Sequence, residues 1–192
     1  MVGSWDIKIA VDAMPQKVAT AFCELTGSLC GAEYTPIAYL GSQVVHGVNH
    51  AILAEQLLIT GKDTKNVVII ILNEREEKFT IANIERVVES GVGLGGTVVD
   101  VKTDISEEAK TAFELALKNF VGSVVEPFAL LATQVVKGTD YVFAAKVTPV
   151  VKDPKEDFAI VTVNALTKKI AFDNPLTTDV QTALGAPLGE WP

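Results

Sequence analysis

The sequence contains the same stretch twice, 91 residues apart, and this internal repeat limits the possible folds more than any other feature. The stretch Gln43-Val44-Val45-His46-Gly47 returns as Gln134-Val135-Val136-Lys137-Gly138, with one residue changed. An ungapped alignment of residues 15–83 with residues 106–174 gives sixteen identical pairs in 69 positions. A match of this length indicates that one supersecondary unit occurs twice.

The repeat predicts two domains of about ninety residues each. We place the first repeat at residues 1–90 and the second at residues 97–192, the second ending in a tail without periodicity. Residues 91–96 include four glycines, and this composition predicts a linker between the repeats.

Both repeats predict the same order of elements. A short alternating segment is followed by an amphipathic helix, with apolar positions from Val18 to Leu29 in the first repeat, and then by four antiparallel strands. Asp12 is the predicted N-cap of the first helix, and Asp104 or Ser106 that of the second. The predicted fold class is therefore α+β, with two tandem units in which one helix packs on a curved four- to five-stranded antiparallel sheet.

Each copy of the repeated pentapeptide lies between two alternating apolar runs and predicts the tip of a β-hairpin. Valine favours strands and glycine permits the tight turn, so turn chemistry explains three of the five positions. It does not explain why a glutamine begins both copies.

Charge and composition exclude several classes of partner. The net charge is −8 and the pI is near 4.8, so we expect neither a nucleic acid nor a membrane surface as partner. No apolar run reaches the roughly 18–20 residues that span a bilayer, and no signal peptide is visible. Cys23 and Cys30 would be too far apart on a continuous helix for a disulfide, and two free thiols favour a cytoplasmic location.

Residues 67–72 are apolar at six consecutive positions. A sheet with one face in water alternates apolar and polar residues, and an exposed run of this kind promotes aggregation. We therefore expect the outer face of the first sheet to be covered, either by intimate packing between the repeats or by a second copy in a homodimer.

Residues 133–141 (Thr-Gln-Val-Val-Lys-Gly-Thr-Asp-Tyr) resemble the first inhibitory hairpin of the cystatins, which are protein inhibitors of papain-like cysteine proteases. The family pattern is Gln-x-Val-x-Gly, usually followed by Thr-Asn-Tyr, and residues 42–50 form a second, poorer copy. The predicted order of elements is also similar to the cystatin fold, so the resemblance covers most of both repeats.

The resemblance implies reversible inhibition of a papain-like cysteine protease by a hairpin wedge. In the family, the first hairpin, the N-terminal segment and a second hairpin enter the protease cleft, and small residues allow the backbone to approach the cleft walls. A preformed wedge loses little entropy on binding, so its apolar contacts supply affinity. The protease-binding residues implied for this chain are Gln134, Val135, Val136, Lys137 and Gly138 in the second repeat, and Gln43, Val44, Val45, His46, Gly47 and Gly3 in the first.

The second hairpins depart from the family, in which this turn often carries Pro-Trp. The equivalent turns are residues 73–78 and 164–169, and neither contains Pro or Trp. Losing an aromatic anchor can cost on the order of 2 kcal/mol, or about thirtyfold in affinity. Because the first of these turns is heavily charged, the second repeat is the better inhibitor candidate.

The alternative function is a non-inhibitory binding or assembly module, which the apolar run and the missing aromatic anchor favour. We do not expect an enzyme. Cys23 with His46 and His50 could in principle supply a nucleophile and a base, but the second repeat has other residue types at all three positions. We expect His46 and His50 to be surface histidines. No stretch has the spacing of a cofactor-binding motif or of a set of metal ligands, so we expect neither a cofactor nor a metal.

Overall fold

The chain divides into two compact units, Met1–Glu89 and Ser90–Pro192. The computed structural model of the chain describes residues 3–11, 13–59, 64–93 and 95–176. Neither helix within these ranges has the length and apolar character needed to span a membrane.

The first unit is a five-stranded antiparallel sheet with one helix inserted after its first strand. Its elements are β1 (Trp5–Ala10), α1 (Gln16–Gly27), β2 (Ala32–Val45), β3 (Gly47–Leu58), β4 (Thr64–Arg75) and β5 (Lys78–Glu89). The strands lie in the sheet in chain order, and each is hydrogen-bonded to the next.

The second unit has the same order of elements and the same sheet topology. Its elements are β6 (Thr97–Lys102), α2 (Glu107–Leu117), β7 (Ser123–Val136), β8 (Gly138–Pro149), β9 (Asp157–Asn164) and β10 (Ile170–Asp173). β9 and β10 are shorter than their counterparts β4 and β5 in the first unit, so the edge of the sheet that they form is narrower.

The predicted fold class, α+β with two tandem cystatin-like helix-on-sheet units, is wrong. Within the described residues the structure is mostly sheet, with two five-stranded antiparallel sheets and two helices. The helices have only 12 and 11 residues, and α1 ends at Gly27, before the predicted apolar stripe reaches Leu29. A helix of this length extends about 18 Å, whereas a 14-residue strand such as β2 extends about 46 Å. Strands therefore provide most of the buried surface.

The sequence repeat corresponds to a repeat in the backbone. β7 begins and ends 91 residues after β2, and β8 is offset from β3 by the same number. The register shifts between Pro36 and Ala38 in β2, and equally between Pro127 and Ala129 in β7. Proline cannot donate a hydrogen bond to the ladder, so an irregularity at these positions is expected.

Each helix begins in its own way. Pro15 precedes α1, and its carbonyl accepts from the amides of Val18 and Ala19. The predicted N-cap Asp12 lies outside the described residues. In the second unit the alternative N-cap Ser106 is confirmed, because its hydroxyl accepts from the amide of Ala109 at 3.4 Å.

Each unit has a core cluster to which its helix and its strands contribute. Phe113 of α2 and Phe143 of β8 meet edge to face with ring centroids 4.9 Å apart. Such contacts add to the apolar area that the rings bury. The corresponding cluster of the first unit contains Val18, Ala21, Phe22, Tyr39, Ile52, Ala54, Val68, Ile70 and Leu72.

The apolar run of β4 is buried on both of its faces. Val68 and Ile70 belong to the core cluster that includes α1, and Val67 and Ile69, which point the opposite way, are also buried. This part of the strand therefore has no face open to solvent.

The glycine-rich segment before β6 forms a hydrogen-bonded turn. The amide of Gly91 donates to the carbonyl of Thr97 at 2.8 Å, and the amide of Thr97 donates to the carbonyl of Val92 at 3.0 Å. The hydroxyl of Ser90 donates to the same Thr97 carbonyl at 3.3 Å. These bonds fix the direction in which the chain enters β6.

Candidate functional site

The first tip, residues 43–47, connects β2 to β3 at one end of the first sheet. Val45 pairs with Gly47, so His46 lies outside the strand ladder. Gly47 has φ +101°, and a Cβ at this position would overlap the backbone carbonyl oxygen of Glu74 in β4. Both the backbone conformation and the close approach of β4 therefore require glycine here.

The side chains of the first tip differ sharply in exposure. Val44 is 67% exposed and Gln43 is 6% exposed. His46 is exposed, and Val45 and Gly47 are half-buried. A partner that approached this tip would therefore meet Val44 and His46 first.

Gln43 faces inward and holds the N-terminal segment against the tip. Its side-chain amide donates to the carbonyl of Gly3 at 2.9 Å, and the amide of Gly3 donates to the carbonyl of Val44 at 2.8 Å. Its side-chain oxygen accepts from Asn49 at 3.3 Å, and Asn49 in turn accepts from Asn73 at 2.8 Å. One chain of hydrogen bonds thus joins the N-terminal segment, β2, β3 and β4.

The turn between β4 and β5 lies beside the first tip, because Val48 pairs with Glu74 at the start of β3. Its two central residues, Glu76 and Glu77, both have positive φ values, 50° and 62°. Two residues in the left-handed region are typical of a tight hairpin turn. Arg75 and Glu76 approach within 3.8 Å, and an exposed pair of this kind contributes little stability.

A polar network that runs from the buried Tyr39 and His50 to the exposed Lys17 lies behind the first tip. Both ring nitrogens of His50 are engaged: Nδ1 with the hydroxyl of Tyr39 at 3.0 Å, and Nε2 with the carboxylate of Glu74 at 3.1 Å. Lys17 of α1 donates to both oxygens of that carboxylate at 2.7 Å. The bond from Lys17, assisted by that to His50, lowers the pKa of Glu74. The expectation that His50 is a surface histidine is therefore wrong.

The network is not repeated in the second unit. The position of His50 is taken by Tyr141 and that of Glu74 by Ala165. Burial, together with a hydrogen bond to Glu108 of α2, raises the pKa of Tyr141. The two units therefore support their tips with different polar contacts.

The second tip, residues 134–138, has the same backbone as the first. Val136 pairs with Gly138, Lys137 lies outside the ladder, and Gly138 has φ +95°. Val135 is 70% exposed, and Lys137 is exposed as well. A Cβ at Gly138 would come within 2.7 Å of the Cβ of Leu166, so the next turn of the sheet lies directly against this tip.

The segment before β6 lies against the second tip in the same way that Gly3 lies against the first tip. A Cβ at Gly95 would overlap the carbonyl oxygen of Val135, and a Cβ at Gly93 would overlap the side-chain amide of Gln134. Gly3 likewise lies next to the carbonyl of Val44. Glycine is what allows the backbone to approach the tip this closely.

Asn164, the last residue of β9, fixes the turn between β9 and β10 against the second tip. Its side-chain amide donates to the carbonyl of Lys137 at 3.2 Å and to the carboxylate of Asp140 at 2.6 Å. Its side-chain oxygen accepts from the amides of Leu166 at 3.1 Å and Thr167 at 2.7 Å. Leu166 is 61% exposed, so a second apolar side chain accompanies Val135 at this edge.

The structure brings the predicted residues of each repeat together at one end of a sheet, but with unequal roles. Val44 and Val135 face outward while Val45 and Val136 are half-buried, the glycines give close approaches, and Gln43 faces inward. Sequence reasoning missed Leu166. The repeat alignment places it opposite Arg75, and an apolar residue in an otherwise polar turn was the available signal.

The comparisons with known proteins add no family to this description. No family model, no curated protein and no solved structure matches the chain. The function has to be inferred from the residues and geometry of the two tips.

Proposed function

We propose that this chain is a reversible inhibitor of papain-like cysteine proteases and that the second tip is its principal inhibitory wedge. The observation that carries the proposal is Val135, exposed at the end of a narrow hairpin whose backbone is flanked closely by Gly95 on one side and by Leu166 on the other. The resemblance of residues 133–141 to the first inhibitory hairpin of the cystatins supplies the class of partner.

The affinity of such a wedge comes from apolar contact with little ordering cost. Full burial of a valine or leucine side chain is worth about 1.5–3 kcal/mol, and Val135 and Leu166 both offer most of their surface. The turn that carries Leu166 is already fixed by Asn164, so little conformational entropy remains to be lost on binding.

The tip is also a poor substrate for a protease. Val135 pairs with Thr139 and Val136 with Gly138, so the peptide bonds around the tip are held in an antiparallel ladder. A protease that cleaves a peptide must take it in an extended pose along the cleft, and this requires the ladder to open. Binding without cleavage leaves the inhibitor intact and the inhibition reversible.

The first tip is the weaker candidate. Val44 is as exposed as Val135, but the neighbouring turn presents Glu76 and Glu77 where the second unit has Thr167 and Lys168. Residues 73–78 carry five charged side chains and residues 164–169 carry two, so moving the first turn into an apolar cleft has the larger desolvation cost. The residue beside this tip that corresponds to Leu166 is Arg75, so a second apolar contact is missing.

A titration of papain with the full chain tests the proposal. Residual activity is measured with a small fluorogenic peptide substrate, and we expect it to fall to zero at no more than micromolar protein and to return on dilution. Mass spectrometry of the recovered chain should show no cut near residues 134–138. Full papain activity at micromolar concentrations of the chain, or cleavage of the chain at the second tip, would contradict the proposal.

The second candidate function is a non-inhibitory binding or assembly module that joins two copies of the chain in a homodimer. The observation that favours it is a group of exposed valines at the opposite end of the second sheet, where the amide of Val150 donates to the carbonyl of Gly122 at 2.9 Å. Exposed apolar patches commonly mark interaction sites. The group consists of Val121, Val124, Val150 and Val151.

Light scattering separates this candidate from the first. An assembly module gives a dimer or larger species at micromolar concentration, and replacing Val150 and Val151 together by aspartate returns it to the monomer mass. A chain that is monomeric before and after that replacement rules out assembly through this group of valines.

A further inference from the structure

We infer that the second tip selects a protein partner whose cleft is apolar inside and carries carboxylates at its rim. The inference concerns the edge already proposed as the inhibitory wedge and so rests on that proposal for the class of partner. Its own basis is the charge around the tip. Three exposed lysines, Lys137, Lys168 and Lys169, occur in the two turns that carry the exposed Val135 and Leu166.

Backbone contacts hold the lysines on one edge. Asn164 donates to the carbonyl of Lys137, and the amide of Ala165 donates to the carbonyl of Thr139 at 2.9 Å. The amide of Lys168 closes the turn by donating to the backbone carbonyl of Asn164 at 2.9 Å. The tip and the β9–β10 turn therefore form one surface, and both contribute exposed lysines to it.

This surface is basic although the chain as a whole carries a net charge of −8. All three lysines are exposed, and within the described part of the chain none of them forms an ion pair with a carboxylate. The nearby carboxylate of Asp140 is bonded to the side-chain amide of Asn164 instead. Among the described residues, no carboxylate neutralises these positive charges.

The first edge carries no such excess. Its turn, residues 73–78, has Arg75 and Lys78 against three glutamates, of which Glu74 is paired with Lys17, and its tip has His46 in place of Lys137. Two tips with the same backbone thus present different charge to a partner. Complementary charge at the rim of an interface raises the association rate and excludes wrong partners. The second unit is accordingly selective for an acidic partner, and the first is not.

A protein fits this edge better than a nucleic acid or a membrane. Arginine and aromatic side chains, which dominate base and phosphate recognition, do not occur among residues 134–138 or 165–169. Lipid surfaces are bound by clusters of about four to eight basic residues, and this edge has only Lys137, Lys168 and Lys169. Two exposed aliphatic side chains and three exposed lysines on one edge suit a cleft in a folded acidic protein.

Backbone amide shifts of the isotopically labelled full chain test the inference with a defined probe. The probe is a 12-residue peptide of about nine glutamates interrupted by leucines, and the same peptide with lysine for glutamate is its charge-reversed control. We expect the acidic peptide to shift the amides of residues 135–138 and 165–169 and the basic peptide to leave them unchanged. Binding should weaken as salt is raised, because exposed charges are screened.

Two matched variants locate the effect. Lys137→Glu/Lys168→Glu/Lys169→Glu should weaken binding of the acidic peptide by about tenfold or more, as expected for three exposed charge contacts. Lys118→Glu/Lys152→Glu/Lys155→Glu changes the net charge equally with lysines away from the tip, and it should bind within about twofold of the unaltered chain. Equal weakening by both variants overturns the inference, because total charge would then explain it.

The outcome is separable from that of the papain titration. Acidic-peptide binding at the second tip without inhibition of papain supports the partner chemistry and removes the proposed function. No shift at residues 135–138 and 165–169 overturns the inference, whether or not papain is inhibited. Tighter binding of the chain to phosphatidylserine vesicles or to single-stranded DNA than to the peptide overturns it as well.

Discussion

The side-chain amide of Gln43 donates to the backbone carbonyl of Gly3 at 2.9 Å, and Gln43 is almost completely buried. The glutamine that begins the repeated motif therefore positions the N-terminal segment and does not itself face a partner. This accounts for a residue that hairpin chemistry leaves unexplained, because valine and glycine alone would suffice for the turn.

Replacing Gln43 by alanine should free the N-terminal segment while the hairpin stays folded. The lost hydrogen bonds are worth about 1 kcal/mol, so the amide of Gly3, which donates to the carbonyl of Val44, should exchange about fivefold faster with solvent. Hydrogen exchange measured by NMR gives this rate directly. Gln16→Ala, at an exposed position of α1, is the matched control, and equal exchange in both variants contradicts the positioning role.

Alanine at the tip glycines should destabilise the chain, and more so in the first unit. Gly47 and Gly138 both have left-handed φ values, which cost a non-glycine residue roughly 1–3 kcal/mol. At Gly47 the new Cβ overlaps a backbone carbonyl oxygen of β4, whereas at Gly138 it would lie 2.7 Å from the Cβ of Leu166 in an exposed turn, so a smaller backbone shift relieves the contact. Urea unfolding should therefore rank Gly47→Ala below Gly138→Ala in stability.

Gly27→Ala is the control for that series. Gly27 ends α1 with nothing within 4 Å of an added Cβ, and alanine favours helix over glycine by up to about 1 kcal/mol. This variant should be as stable as the unaltered chain or more so. Destabilisation at Gly27 comparable to that at Gly47 would mean that left-handed backbone and close contact are not the cause.

The contacts of Glu74 should make the stability of the chain depend on pH in the acidic range. Lys17 and His50 hold the pKa of this carboxyl below its ordinary value of 4.5, so its contribution is complete above that pH and is lost as pH falls through the lowered folded-state pKa. Glu74→Gln should flatten the fall in unfolding free energy below pH about 4.5. Urea unfolding across pH 2 to 7 measures this, with the exposed Glu77→Gln as control, and an unchanged slope in Glu74→Gln refutes the account.

The hairpins could be located from sequence because their determinants are local. Gly47 and Gly138 are required by the backbone at their own positions, and the valines beside them are strong strand formers. Because the repeat has no gaps, a hairpin located in one unit could be assigned to the equivalent residues of the other. The strands around both tips do have the same length and register. Local chemistry and repetition together were sufficient for this part of the fold.

The fold class could not be obtained in the same way, because it depends on how far each element extends. The apolar stripe continues to Leu29, but the chain leaves the helix at Gly27, and β2 continues through Pro36 by means of a bulge. Propensity and periodicity do not report where tertiary packing ends an element. The short helices and long strands that make the structure mostly sheet are consequences of that packing.

The remaining features of the site depend on contacts between residues distant in sequence. His50 meets Glu74 and Tyr39 only because three strands lie side by side, so nothing around His50 in the sequence indicates its burial. Leu166 reaches the second tip because Asn164 turns the chain toward Lys137. Pairings of this kind are set by strand register and become visible only in the assembled sheet.

The central claim is that Val135 at the second tip inhibits papain-like proteases, and one comparison of inhibition constants tests it most directly. Three variants each place a carboxylate at an exposed valine. Val135→Asp changes the second tip, Val44→Asp changes the first tip, and Val124→Asp changes the end of β7 that lies away from the tip. All three positions are on the surface, so folding should be preserved and can be checked by urea unfolding.

We expect the inhibition constant for papain to rise about tenfold or more in Val135→Asp, as for a central interface residue, and less than about threefold in the other two. Equal inhibition by Val135→Asp and Val124→Asp would contradict the account, because the exposed valine of the second tip would then have no part in binding the protease.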